Sequence, residues 1–217
     1  MNCRVVCLSG PDGSHMRDVA ASVTTSLGFS LVDEGIIMRA ASEAEVDPQV
    51  VADVEQRRSF IDRCLGALTM SGDATAVVFT GGGGGYLPPE EHVDDDMRSL
   101  IRMAIVETAD RGNVVIVAHA ASHALAGRDN VLRVLVTASP QTRCARIAAE
   151  QGLSEKDAAH AIAEADANRA DYLRRFFGEK TELPTQYDIV VNTDRLTIDA
   201  AAAVVAAAAA QPAAVTA

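Results

Sequence analysis

Three short runs in this chain carry apolar residues on both sides of an extended backbone: Arg4–Leu8, Asn113–Ala118 and Val131–Val136. Successive side chains of a strand point to opposite faces of its sheet. A strand that is apolar at odd and even positions alike needs cover on both faces, and parallel sheets flanked by helices provide it. Phe29–Val32 and Tyr187–Asn192 read as two further strands, which makes five. Helical patterns lie between them. Val19, Val23 and Leu27 recur every four residues, with Met16 and Ala20 alongside, so a helix is predicted over Met16–Leu27, ended by Gly28. Strands alternating with helices imply an α/β fold of three layers, with a mainly parallel five-stranded sheet and helices on both faces.

The remaining elements follow from spacing and caps. A helix is predicted over Glu34–Ser42. Another starts at Asp47-Pro48 and runs to about Met70. Thr75–Thr80 is β-like and enters five successive glycines, Gly81–Gly85, read as a flexible connection. Glu90–Arg111 is helical, and its acidic start suits the positive end of the helix dipole. The triplet Asp94–Asp96 reads as a solvated face, because adjacent helical residues point apart. Ser139–Gln151 is bounded by Pro140 and Gly152. A further helix opens with Ser154 and Asp157 in capping-box spacing and runs to about Phe177. Thr197–Ala210 is the last helix, and residues 211–217 form an Ala-rich flexible tail. The expected organisation is one domain over residues 1–210.

Composition narrows the function. The formal charge of −11 disfavours nucleic acid and anionic membrane as partners, though it allows a local basic pocket for a small phosphate compound. The four cysteines (3, 7, 64 and 144) form no C-x-x-C pair and no zinc cluster, as expected of reduced thiols in a cytoplasmic protein. Cys7, in an apolar strand, reads as a buried inert thiol. No signal peptide is recognised, and the Ala-rich tract Ala200–Ala210 is too short and too weakly apolar to span a bilayer. That last helix could pack on a second copy, leaving room for a homo-oligomer.

Ligands of parallel α/β sheets bind at the carboxyl ends of the strands. The first such end, Ser9–Ser14, is a glycine-containing turn between an apolar strand and a helix. This is the layout of a phosphate-binding loop, which aims backbone N–H groups and a helix N-terminus at phosphate. The pattern G-x-x-x-x-G-K-[ST], laid from Gly10, puts His15 at the second Gly, Met16 at the Lys and Arg17 at the Ser/Thr. The frame is kept and three chemical positions are not.

Four blocks together resemble the cytidylate kinase-like family of nucleoside monophosphate kinases. Gly10-Pro11-Asp12-Gly13-Ser14 is similar to that family's Gly-Pro-x-Gly-Ser opening. Val32-Asp33-Glu34-Gly35-Ile36-Ile37-Met38-Arg39-Ala40 resembles its Leu-Asp-Thr-Gly-x-x-Tyr-Arg-Ala segment. Val115-Ile116-Val117-Ala118-His119-Ala120-Ala121 stands where the family has Val-Ile-Val-Gly-Arg-Gly-Ala, and Asn130-Val131-Leu132-Arg133-Val134 follows. Arg143-x-x-Arg146, Asp166-x-x-Arg169 and Tyr187-Asp188-Ile189-Val190-Val191-Asn192-Thr193-Asp194 resemble its lid and final strand. The resemblance implies a P-loop kinase fold with a helical lid over about 143–178. It implies phosphate or nucleotide contacts from Gly10, Gly13, Ser14, Asp33 and Arg39, and catalytic arginines at Arg143, Arg146 and Arg169. No protein metal ligand is assigned. Asp166 stands three residues before Arg169, close enough to pair with it on one helix face.

Two functional readings stand. In the first, the chain transfers a phosphoryl group from ATP, with Mg²⁺, to a nucleoside monophosphate of the CMP or dCMP type, through a donor loop impaired at His15, Met16 and Arg17. In the second, it is a catalytically inactive kinase fold acting as a nucleotide-sensing or protein-interaction module.

Overall fold

The computed structural model describes residues 3–33, 95–118, 121–178 and 182–211. The expected helices over Glu34–Ser42 and from Asp47, the Thr75–Gly85 stretch, Arg39, Cys64, His119 and the tail beyond residue 211 lie outside the described residues.

The chain runs β1 (Val5–Ser9), α1 (Met16–Leu27), β2 (Ser30–Asp33), α2 (Asp95–Arg111), β3 (Val114–Val117), α3 (Ala121–Ala124) and β4 (Val131–Thr137). Then come α4 (Pro140–Gln151), α5 (Glu155–Phe177), β5 (Ile189–Asn192) and α6 (Ile198–Ala209). The five strands form one sheet in the order β2-β3-β1-β4-β5, and every recorded pairing is parallel. β1 is central, with Cys7 opposite Ile116 of β3 on one side and Arg133 of β4 on the other.

The unbroken apolar runs are explained by two cores, one on each face. Val5 and Cys7 of β1, with Val114 and Ile116 of β3, pack under Ala104, Ile105 and Ala109 of α2 and Leu125 just beyond α3. Val6 and Leu8, with Val115, Val117, Val134 and Val136, pack under Val19, Ala20 and Val23 of α1 and Ala201, Ala202 and Val205 of α6. The predicted spacing of α1 is therefore its buried stripe. The Ala-rich C-terminal helix likewise supplies cover to the sheet: small side chains let α6 lie close beside α1.

Several caps match their sequence signals. Gly28 and Gly152 close α1 and α4 in the left-handed conformation. The Ser139 and Ser154 side chains accept from the N–H groups of Thr142 and Asp157 at the starts of α4 and α5. Two elements were not anticipated from sequence, the single-turn α3 and a 3₁₀ turn over Pro184–Gln186. Both are too short to show a periodicity.

Cys7 is fully buried, and burial pushes its thiol far above the ordinary range, in keeping with an inert core residue. Among the described residues no helix is long and apolar enough to cross a membrane, and no cluster of His, Cys, Asp and Glu could hold a metal ion.

Candidate phosphate-binding site

The chain leaves β1 toward β2 on one side and leaves β4 toward β5 on the other. The crevice at such a reversal is where parallel sheets bind ligands. The loop Gly10–His15 fills it, between the ends of β1 and β4. Its glycines are required by contact and by backbone. A Cβ on Gly10 would lie 2.3 Å from the carbonyl oxygen of Val136. Gly13 has φ +76°, and a Cβ there would lie 2.9 Å from the backbone oxygen of Arg143. His15, at φ 59°, is the left-handed residue that turns the loop into α1, and its Nδ1 lies 2.8 Å from Asp18 Oδ2.

All five carbonyl oxygens from Gly10 to Ser14 accept a hydrogen bond. Arg169 Nη1 donates to Gly10 O at 3.4 Å, and the Ser14 N–H donates to Pro11 O at 3.2 Å. Arg143 Nε donates to Asp12 O at 2.6 Å and Arg146 Nη1 to Gly13 O at 2.9 Å. The Thr193 hydroxyl donates to Ser14 O at 2.9 Å. No acceptor is recorded among the described residues for the N–H groups of Gly13 and His15. Ser14 Oγ is buried without a hydrogen-bond partner there.

The three arginines assigned by resemblance converge on this loop from its carbonyl side. Arg143 is buried on α4 and also forks onto Asp166 at 2.7 and 2.9 Å. Arg146 donates to Thr193 Oγ1 at 3.0 Å and to Thr193 O at 2.7 Å. Arg169, buried on α5, donates to Ser9 Oγ at 2.8 Å and forks onto Glu182 at 2.6 and 3.0 Å. The spacing of Asp166 and Arg169 allows a pair, but the recorded partners are different. Asp166 serves Arg143 on the neighbouring helix, and Arg169 takes Glu182, because both guanidinium groups are drawn to the loop from separate elements. Burial alone would raise the Glu182 pKa, but the Arg169 guanidinium and the Tyr187 hydroxyl, which donates to Glu182 Oε1, hold it below the usual carboxylate range. Tyr187 is pushed up, first by burial and then by the Glu182 charge.

The departures from the sequence pattern also have a place. Met16, at the position of the Lys, packs against the α1–α6 core. Arg17, at the position of the Ser/Thr, turns to Asp33 at the end of β2, with Nη1 2.6 Å from Oδ2. Asp33 is therefore on the rim of the same crevice and paired.

Sequence reasoning missed Thr193 and Glu182. Thr193 stood inside a quoted block but carried no role there. Glu182 lies in a stretch without any motif, and only the fold brings it to Arg169.

The model of the cytidylate kinase-like family matches residues 5–195. The chain belongs to the cytidylate kinase-like family. A curated relative, the cytidylate kinase of Ignicoccus hospitalis, is 26% identical over 189 residues, covering 87% of this chain and 89% of the relative. Among solved structures, an uncharacterized protein from Eubacterium ventriosum is similar with a TM-score of 0.66 at 14% identity, over 95% of this chain and 98% of that one. A shikimate kinase from Acinetobacter baumannii, in complex with shikimate, gives a TM-score of 0.47 at 12% identity, over 94% and 90% of the two chains. The family and the parallel sheet together make this an α/β P-loop kinase fold.

Proposed function

We propose that this protein binds the phosphates of a nucleoside triphosphate on the loop Gly10–His15 and is a phosphotransferase of the cytidylate kinase type with a weakened donor site. The observation that carries the reading is the complete capture of the loop's carbonyl oxygens by protein donors. With the carbonyls engaged, the loop can present N–H groups, the helix N-terminus and the Ser14 hydroxyl to an anion. Gly10 and Gly13 let the loop lie directly against Val136 and Arg143, which keeps it in this shape. Asp33 and Arg39 are the proposed acceptor-side residues, for a CMP or dCMP type of monophosphate.

The donor position lacks its cation. Met16 cannot neutralise charge on the β- and γ-phosphates, and removing one pre-organised stabilising group typically slows a reaction by about 10²–10³. The residues at the family's metal position do not fit a protein-bound Mg²⁺. Arg17 brings a positive charge there and is already paired with Asp33. Mg²⁺ would have to arrive with the nucleotide, and position 17 offers that ion no hydroxyl. The same ion pair favours a second reading, a kinase fold that binds nucleotide without transfer and serves as a sensing or interaction module.

A coupled assay with ATP, Mg²⁺ and each nucleoside monophosphate decides between them. The expected result is slow turnover with CMP or dCMP that is abolished by Arg39→Ala. Tight nucleotide binding without turnover would leave the sensing role. Binding itself is read by thermal shift, where ATP at about 100 times its Kd should add about 2.7 kcal/mol of stability.

A further inference from the structure

A trans peptide carries its C=O and the next residue's N–H on opposite sides, so holding the one aims the other. The described residues contain no cis peptide. The bonds to the loop can therefore be sorted by which N–H each one aims. Arg143, bonded to Asp12 O, fixes the plane that carries the Gly13 N–H. Thr193, bonded to Ser14 O, fixes the plane that carries the His15 N–H. Arg169 holds Gly10 O, whose plane ends on Pro11 and carries no N–H, so it is a tether only. Arg146 holds the plane of the Ser14 N–H, which already closes the turn onto Pro11 O. Its larger effect is on Thr193, where it donates to both the hydroxyl and the carbonyl.

We propose that Thr193, oriented by Arg146, and Arg143 are positioning residues that aim the His15 and Gly13 N–H groups at the donor phosphates, in a loop with Met16 where the phosphate-loop pattern has a lysine. This rests on the triphosphate reading above. A hydrogen bond also polarises the peptide it ends on, so a guanidinium on Asp12 O makes the Gly13 N–H a better donor. Thr193 is nearly fully buried and has one hydroxyl hydrogen, shared between Ser14 O at 2.9 Å and Thr137 O at 3.2 Å. The Arg146 contact on its oxygen holds that hydroxyl at the loop.

The test uses the full chain with ATP and with inorganic tripolyphosphate, read by calorimetry, beside amide NMR of the free protein. Thr193→Val keeps the shape and removes the donor. It should weaken both ligands about tenfold and shift the His15 amide while leaving the Gly13 amide in place. Thr193→Ser should restore affinity to near the wild-type value. Arg143→Lys should move the Gly13 amide and not that of His15, and it serves should Thr193→Val fail to fold. Equal affinity in folded Thr193→Val, or a Thr193→Ser variant as weak as Thr193→Val, overturns the proposal alone. A wild-type chain that binds neither ligand overturns the triphosphate reading and this proposal with it.

Discussion

Gly13 shows how tightly the loop is specified. Its φ of +76° strains any L side chain, and a Cβ would meet backbone atoms of Arg143, which cannot swing aside. Gly13→Ala should destabilise the fold by more than about 1 kcal/mol and remove triphosphate binding, measured by denaturant unfolding and calorimetry. Glu182 makes a pH-dependent contribution. Its pKa is lower folded than unfolded, so the stabilisation is complete above about pH 4.3 and is lost as pH falls through the folded value. Replacing Arg169 by Ala strands Glu182 in a half-buried place and should cost about 3–5 kcal/mol at pH 7. Unfolding curves at pH 7 and pH 3 check this, because the penalty should shrink at the lower pH. The resemblance named Arg143, Arg146 and Arg169, and the fold brings all three side chains to the loop's carbonyl oxygens, while the carboxylate beside Arg169, Glu182, left no sign in the sequence. Partners on separate elements leave no spacing in a sequence, whereas Asp166 and Arg169 sit three apart and invite pairing.

Helix α4 brings Arg143 and Arg146 to the loop, so its start matters beyond its own stability. The Ser139 hydroxyl accepts from the Thr142 N–H at 3.3 Å, and the Ser139 N–H donates to Asp194 at 2.8 Å. Ser139→Ala should cost about 1 kcal/mol in thermal unfolding, with a smaller loss of triphosphate affinity than Thr193→Val. That order of effects separates a general loosening of the helix from loss of the specific donor. Among the described residues, the helices and strands with a repeat and a stop signal lie where that pattern puts them. α1 was located at Met16–Leu27 because a four-residue apolar repeat ends at a glycine able to adopt the left-handed turn. β4 runs one residue past its predicted end, to Thr137, since the ladder extends as far as its partner β5 does. The 3₁₀ turn at Pro184–Gln186 had no such pattern to announce it.

The sheet depends on β1, which is buried on both faces and paired on both edges. Leu8→Ala should destabilise by about 2–5 kcal/mol, as seen by chemical denaturation, because the surrounding valines cannot collapse fully into the space. The two-sided character of the fold was open to reading, because unbroken apolar runs are a property of the strands themselves. The capture of the loop was not, because it depends on residues far away in the chain. The Thr193 bond to Ser14 spans 179 residues, the Arg169 bond to Ser9 spans 160 and the Arg143 bond to Asp12 spans 131. Such separations carry a consequence for synthesis. The loop leaves the ribosome early, while the groups that shape it are still to be made. At about 5–20 residues per second, Thr193 follows Ser14 by on the order of ten to forty seconds. Through that interval a nascent chain has the loop's glycines without the donors that bond its carbonyl oxygens. The loop gains that set of bonds late, once the residues after the final strand have docked.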